Sequence, residues 1–190
     1  MLQLKNKTIC KKIAIVIACM CIAIPSVAQQ DSIGIYAVYD SSRARMDLIK
    51  YKQVKVNSAV IAGKAKLVFE GSSSQNRFKE TASFLIYFGT PSINDMTKYY
   101  MFTTSYSVKD FSIGKFEVKK GNRRLTTMSY SVLGSTFGVK EVDELIVQTA
   151  KVRENVYEIR VSGPAGEYCI MPTINGISGG YAGVFDFTIE

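Results

Sequence analysis

The stretch VYEIRVSGPAGEYCI, residues 156–170, decides the fold. Tyr157, Ile159 and Val161 alternate with Glu158 and Arg160, the period of two that sends successive side chains to opposite faces of a strand. Gly163, Pro164 and Gly166 then punctuate the chain, and the apolar run Tyr168-Cys169-Ile170-Met171 begins a second strand. The same period recurs outward from here. KAKLVFEG (64–71) sets Leu67 and Phe69 on one face. ASFLIYFG (82–89) is apolar on both faces, as in a central strand covered on both sides. GVFDFTIE (183–190) alternates Phe185, Phe187 and Ile189 with Asp186 and Thr188. GIYAVY (34–39) and RLTTMSYSV (124–132) are rich in β-branched and aromatic residues. EVKKGNRRLTT (117–127) reads as a hairpin with Gly121-Asn122 at its tip, glycine first suiting a type II′ turn. No stretch sustains a 3.6-residue apolar period, and GVKEVDELI (138–146) holds at most one helical turn in a solvated, acidic loop. The expectation is all-β: an antiparallel β-sandwich of about nine short strands, with a small β-barrel as the alternative.

The N-terminus reads as an export signal. Lys5, Lys7, Lys11 and Lys12 precede an apolar run of 12 residues, Ile13–Ile24, and Pro25-Ser26-Val27-Ala28 closes it with small residues. A spanning helix needs about 20 apolar residues, so no transmembrane helix is expected. Residues 1–28 are read as a signal peptide cleaved after Ala28, leaving one domain over 29–190, periplasmic or secreted. The alternative is a lipoprotein anchored at Cys19, although Ile13–Ala18 is shorter than the usual hydrophobic core of about 7 to 15 residues. Removal of the signal lowers the net charge from +8 to +4 and leaves Cys169 as the one cysteine. A mildly basic domain is no argument for a nucleic-acid partner, though peripheral or lipid-anchored membrane contact stays open. A single cysteine cannot form an internal disulfide, and Cys169 in an apolar strand pattern is expected to be buried and inert.

The segments FEGSSSQNRF, DFSIGKFEVKKGNRRL, VYEIRVSGPAGEYCI and VFDFTIE together resemble a family of exported bacterial β-rich domains of unknown function. That family shares a G-x-S-x-x-R turn, an arginine after a basic hairpin and a GEY…FDF ending. The resemblance covers about residues 33–190. It implies an exported β-rich domain and supplies no activity, ligand or catalytic residue.

The chain has no histidine. That removes Ser-His-Asp and Cys-His machinery, the usual zinc sites and the commonest general base near neutral pH. Ser112-Ile113-Gly114-Lys115 fits S-x-x-K, but in a strand the two side chains point to opposite faces. Glu117, Glu141, Asp143, Glu144, Glu158, Glu167 and Asp186 could furnish a carboxylate pair, yet no spacing brings two together. Glu141, Asp143 and Glu144 lack the glycine and spacing of a calcium loop. The glycines from Gly176 to Gly183 precede a strand rather than the helix a phosphate loop needs. No enzyme activity, cofactor or metal is expected.

Two surfaces remain as binding candidates. Lys119, Lys120, Arg123 and Arg124 would put four cations on one projecting turn, suited to lipid phosphates, an anionic glycan or an acidic partner. Their joint replacement by alanine would then leave the fold intact. Tyr99, Tyr100, Phe102 and Tyr106 in KYYMFTTSYS would offer rings for stacking on sugars. Arg43, Arg77, Arg124 and Glu167 would pair with one another to fix loops. The expected function is a non-enzymatic binding or accessory domain of the bacterial envelope, for a glycan or an envelope protein. The alternative is a structural or adhesion component assembling through strand edges, and a carboxylate or Ser-Lys hydrolase ranks last.

Overall fold

The computed structural model describes residues 32–40, 42–59, 62–94, 100–103, 106–131, 134–139, 142–172 and 183–190. The signal peptide, the lipid anchor at Cys19 and the Gly176–Gly180 stretch fall outside these residues. Ser32–Glu190 forms one compact unit.

Fourteen strands occur among the described residues, in three sheets. Sheet I holds β1 (Gly34–Tyr39), β2 (Ser42–Arg45), β6 (Thr81–Tyr87), β11 (Ile146–Arg153) and β12 (Val156–Ser162) in the order β11-β12-β6-β1-β2. Sheet II holds β5 (Arg77–Phe78), β7 (Phe111–Lys115), β13 (Gly166–Pro172) and β14 (Phe185–Ile189) in the order β5-β14-β13-β7. Sheet III runs β10 (Gly134–Phe137), β9 (Asn122–Ser131), β4 (Ala62–Glu70), β3 (Gln53–Ser58), with β8 (Glu117–Lys119) also on β9. All pairings between strands are antiparallel except β5 on β14. No sheet closes, so the barrel alternative is set aside.

Sheet II is covered on both faces. Alternation along β13 sends Tyr168 and Ile170 to one side and Cys169 and Met171 to the other. The first side meets Ile35, Ala37, Phe84, Ile86, Ile159 and Val161 of sheet I. There Phe84 lies edge-on to Phe187 at 4.9 Å between ring centroids, and Tyr168 stacks on Phe187 at 5.6 Å. Each fully buried aromatic or aliphatic side chain contributes about 1.5–3 kcal/mol. The second side meets Leu67, Phe69 and Leu125 of sheet III and Phe116.

Nine of the strands are those the alternation marks; β2, β3, β5, β10 and β11 are additional. Every residue of β2, β3 and β11 is exposed, so no buried face imposes an apolar/polar alternation there. The β8–β9 hairpin also corrects the turn assignment. Lys119 already pairs with Asn122, so the two loop residues are Lys120 and Gly121. Their φ values of 52° and 71° are both left-handed, which makes a type I′ turn in place of II′.

Candidate functional site

The four cations of the hairpin do not share one surface. Lys119 and Lys120 are exposed at the tip and Arg124 is half-buried, whereas Arg123 is 5% exposed. Residues on β9 alternate, so Arg123 and Leu125 point inward toward sheet II. The Arg123 guanidinium donates through Nη1 to Asp186 Oδ2 and lies 3.7 Å from Glu167 Oε2. Its Nη2 donates to the Glu70 carbonyl at 3.3 Å, and its Cζ lies over the Phe116 ring, 5.3 Å from the ring centre. The projecting-cation reading is therefore corrected for Arg123. The joint alanine replacement would strip the counter-charge from two buried carboxylates, so an intact fold is no longer expected.

Both carboxylates are held in place, Asp186 by Arg123 and by bonds to its own main chain. Glu167 Oε2 accepts from the Ser74 amide at 2.9 Å and Oε1 from the Thr188 hydroxyl at 2.7 Å. The Asp186 carbonyl accepts from Ser74 Oγ and from Asn76 Nδ2, each at 3.0 Å. Segments far apart in sequence thus meet at one guanidinium: the turn after β4, the start of β9, β13 and β14. They are the segments that carry the resemblance noted above, although Gly71 to Arg77 is one residue longer than G-x-S-x-x-R. Glu167 pairs with Arg123, while Arg77 pairs with Glu190 at 2.5 Å and Arg43 donates to the Tyr87 hydroxyl at 2.6 Å. The mutual arginine–glutamate arrangement expected from sequence is corrected accordingly. Apart from Arg123 Nε, which is buried without a hydrogen-bond partner, the groups named here bind one another, so the cluster acts as a clamp between sheets II and III.

The aromatic stretch is also redistributed. Phe102 is completely buried, stacked with Phe111 at 5.8 Å and edge-on to Phe185 at 5.7 Å, and it belongs to the core rather than to a sugar platform. Tyr106 is half-buried against the same core. Tyr100 opens a single 3-10 turn, Tyr100–Phe102, and Tyr99 lies outside the described residues.

Ser112 and Lys115 lie on β7, and Lys115 Nζ is taken by Glu144 Oε2 at 3.2 Å. That hydrogen bond is the main reason the Lys115 ammonium titrates above its ordinary value. Cys169 is fully buried, and burial pushes its thiol up to about 12, which leaves it a thiol at neutral pH. Among the described residues, no group of three or more His, Cys, Asp or Glu side chains could hold a metal ion. None of their helices is long and apolar enough to cross a membrane.

Two open grooves flank sheet III. One, of about 880 Å³, is lined by Val56, Ser58, Gly63, Lys64, Tyr130 and Gly134. The other, of about 680 Å³, includes Lys64, Lys115, Arg124, Met128, Val139 and Glu144. The ion pairs at their walls, Lys66–Glu117 and Lys115–Glu144, are partly exposed and self-contained.

The feature that sequence reading missed is the edge of sheet I. Among the described residues, β11 (IVQTAKVR) pairs with β12 on one side only and stands at the end of the sheet. All eight of its residues are exposed, including Ile146 (63%), Val147 (47%) and Val152 (56%). Edge strands are ordinarily blunted by charge, proline or a bulge. Here Lys151, Arg153 and a register shift protect the C-terminal end, while Ile146–Ala150 carries no charge. β3 has Lys55 at its middle, and β2 alternates arginines. The only sequence signal for β11 was its β-branched content.

Comparison of the chain with known protein families, with curated proteins and with solved structures finds no match in any of the three.

Proposed function

We propose that this protein is a non-enzymatic binding domain, exported to the bacterial envelope or beyond, whose partner is a protein segment that adds as a strand to β11. The observation that carries this reading is the exposed eight-residue edge with its uncharged first five positions. An unpaired edge offers a row of backbone donors and acceptors, and strand addition satisfies them while side-chain contacts set the choice of partner. A protein partner is favoured over a glycan because two of the four rings of the sugar-stacking idea turn to the core, Phe102 wholly and Tyr106 in part. Export rests on the lysine-rich, apolar and small-residue plan of Met1–Ala28.

A photo-crosslinking amino acid at Gln148, and separately at Lys55 and Lys119, tests this in the native envelope. The reading expects protein adducts at Gln148 that disappear when Ala150 is also changed to lysine. Adducts confined to Lys55 or Lys119, or unaffected by Ala150→Lys, would overturn it.

A further inference from the structure

We infer that the segment added to β11 is β11 of a second copy of this chain. The two edges would run antiparallel about a two-fold axis through Thr149, joining two five-stranded sheets into one. This rests on the strand-addition reading above and names its occupant. In an antiparallel pair, facing residues both direct their backbone groups across, or neither does. Along one strand that property alternates, so a two-fold between identical strands must pass through a residue facing itself.

Only a few axes keep the uncharged part of β11 paired. An axis at Thr149 sets Val147 against Lys151, Gln148 against Ala150 and Thr149 against Thr149, with Ile146 beside Val152 at the end. No like charges face each other, apolar residues meet at both ends, and a Thr–Thr pair at the centre is a favourable cross-strand pair. An axis at Gln148 leaves Lys151 without a facing residue in β11, and an axis at Ala150 carries the register shift at Lys151/Arg153 inside the pairing, where the Thr149 axis meets it only at the terminal pair. The other edges oppose like charges or are shorter. On β2 an axis at Arg43 opposes two arginines, and one at Ala44 opposes Arg43 to Arg45. On β3 an axis at Lys55 opposes two lysines, and the axis at Val56 that avoids this pairs five residues, against seven for the Thr149 axis on β11. β10 has four residues and begins with glycine. β5, β7 and β8 are also edge strands, of two, five and three residues; β11, with eight, is the longest, and its chemistry accepts its own copy.

The test uses the full chain with Cys10, Cys19 and Cys21 changed to serine; Cys169 is buried and does not compete in the native state. Sedimentation should show a reversible monomer–dimer equilibrium in the micromolar range. Thr149→Lys should weaken it about fivefold by placing like charges on the axis, with circular dichroism unchanged. Single cysteines at 148, 149 and 150 then read the register under mild oxidation. Thr149→Cys should form the disulfide-linked dimer, and Gln148→Cys and Ala150→Cys much less. A chain monomeric at several hundred micromolar overturns the inference, as does a dimer that Thr149→Lys leaves unchanged. A dimer crosslinked best at 148 or 150 overturns the register. A monomer that still yields Ala150-sensitive adducts at Gln148 defeats the second copy alone and leaves the strand-addition reading standing.

Discussion

The two faces of sheet II hold the molecule together by different means. Toward sheet I, Tyr168, Ile170, Phe185, Phe187 and Ile189 interlock with Phe84 and Ile86 in an apolar interface. Toward sheet III, strands β13 and β14 add Glu167, Asp186 and Thr188, all buried, to the apolar contacts of Cys169 and Met171. The apolar side tolerates imperfect geometry, because its attraction is non-directional. The charged side does not: a buried carboxylate without its partner is far costlier than a methyl group in a poor position. One strand, β14, serves both regimes, and its polar alternation marks a second interface rather than solvent.

Removing one partner from each face should give the largest effects. Arg123→Ala should cost about 3–5 kcal/mol by stranding Glu167 and Asp186. Phe187→Ala should cost a similar 3–5 kcal/mol by opening a cavity. Urea unfolding measures both. An Arg123→Ala loss below 1 kcal/mol would mean that the charged interface is wet and the contrast false.

The second prediction sharpens the contrast. Combining Arg123→Met with Glu167→Gln and Asp186→Asn should cost less than Arg123→Ala alone, since no charge is then left unpaired. A triple variant less stable than the single one would show that the ions contribute attraction beyond mutual compensation.

A smaller effect belongs to the hairpin that delivers Arg123. Gly121→Ala forces a side chain into φ 71° and should cost about 1 kcal/mol, again by urea unfolding. Lys119→Ala and Lys120→Ala, one residue at a time, should stay within about 0.5 kcal/mol. A larger loss at either lysine would make the tip part of the clamp.

Cys169 faces the charged interface and gives a pH test. Its folded thiol is raised from 9.0 to about 12, chiefly by burial, so folding favours the protonated form. The contribution is therefore fully present below pH 9 and is lost as pH rises from there toward 12. Native Cys169 should react with thiol reagents only through unfolding. Cys169→Ala should flatten the fall of stability across that window, measured as melting temperature against pH. Rapid native labelling would contradict its burial.

Much of the architecture was legible because burial writes a pattern. Phe185, Phe187 and Ile189, or Ile159 and Val161, alternate since one face must be apolar. Arg123 was misread because alternation gives the face of a side chain but not what covers that face. Four cations in six positions look like a solvated tip until two distant acids meet one of them. Phe102 was misread for the converse reason: a tyrosine-rich stretch hides which ring turns inward. β11 left almost no signature, since a strand exposed on both faces is held by its backbone ladder to β12 and needs no periodicity of its own.

The Arg123 clamp also bears on how the chain acquires its structure. Ser74 and Asp186 touch across 112 residues of sequence, and Arg123 and Asp186 across 63. β14, on which the clamp closes, lies inside sheet II between β5 and β13. Neither sheet II nor the clamp can form until β14 has been synthesised. Contacts of such long range make for slow folding, because loop-closure entropy is lost before any contact forms. A chain emerging residue by residue would hold its earlier strands in a loose, unfinished state until residues 185–189 arrive. Consolidation would then follow as a late, cooperative step, with β14 as its trigger.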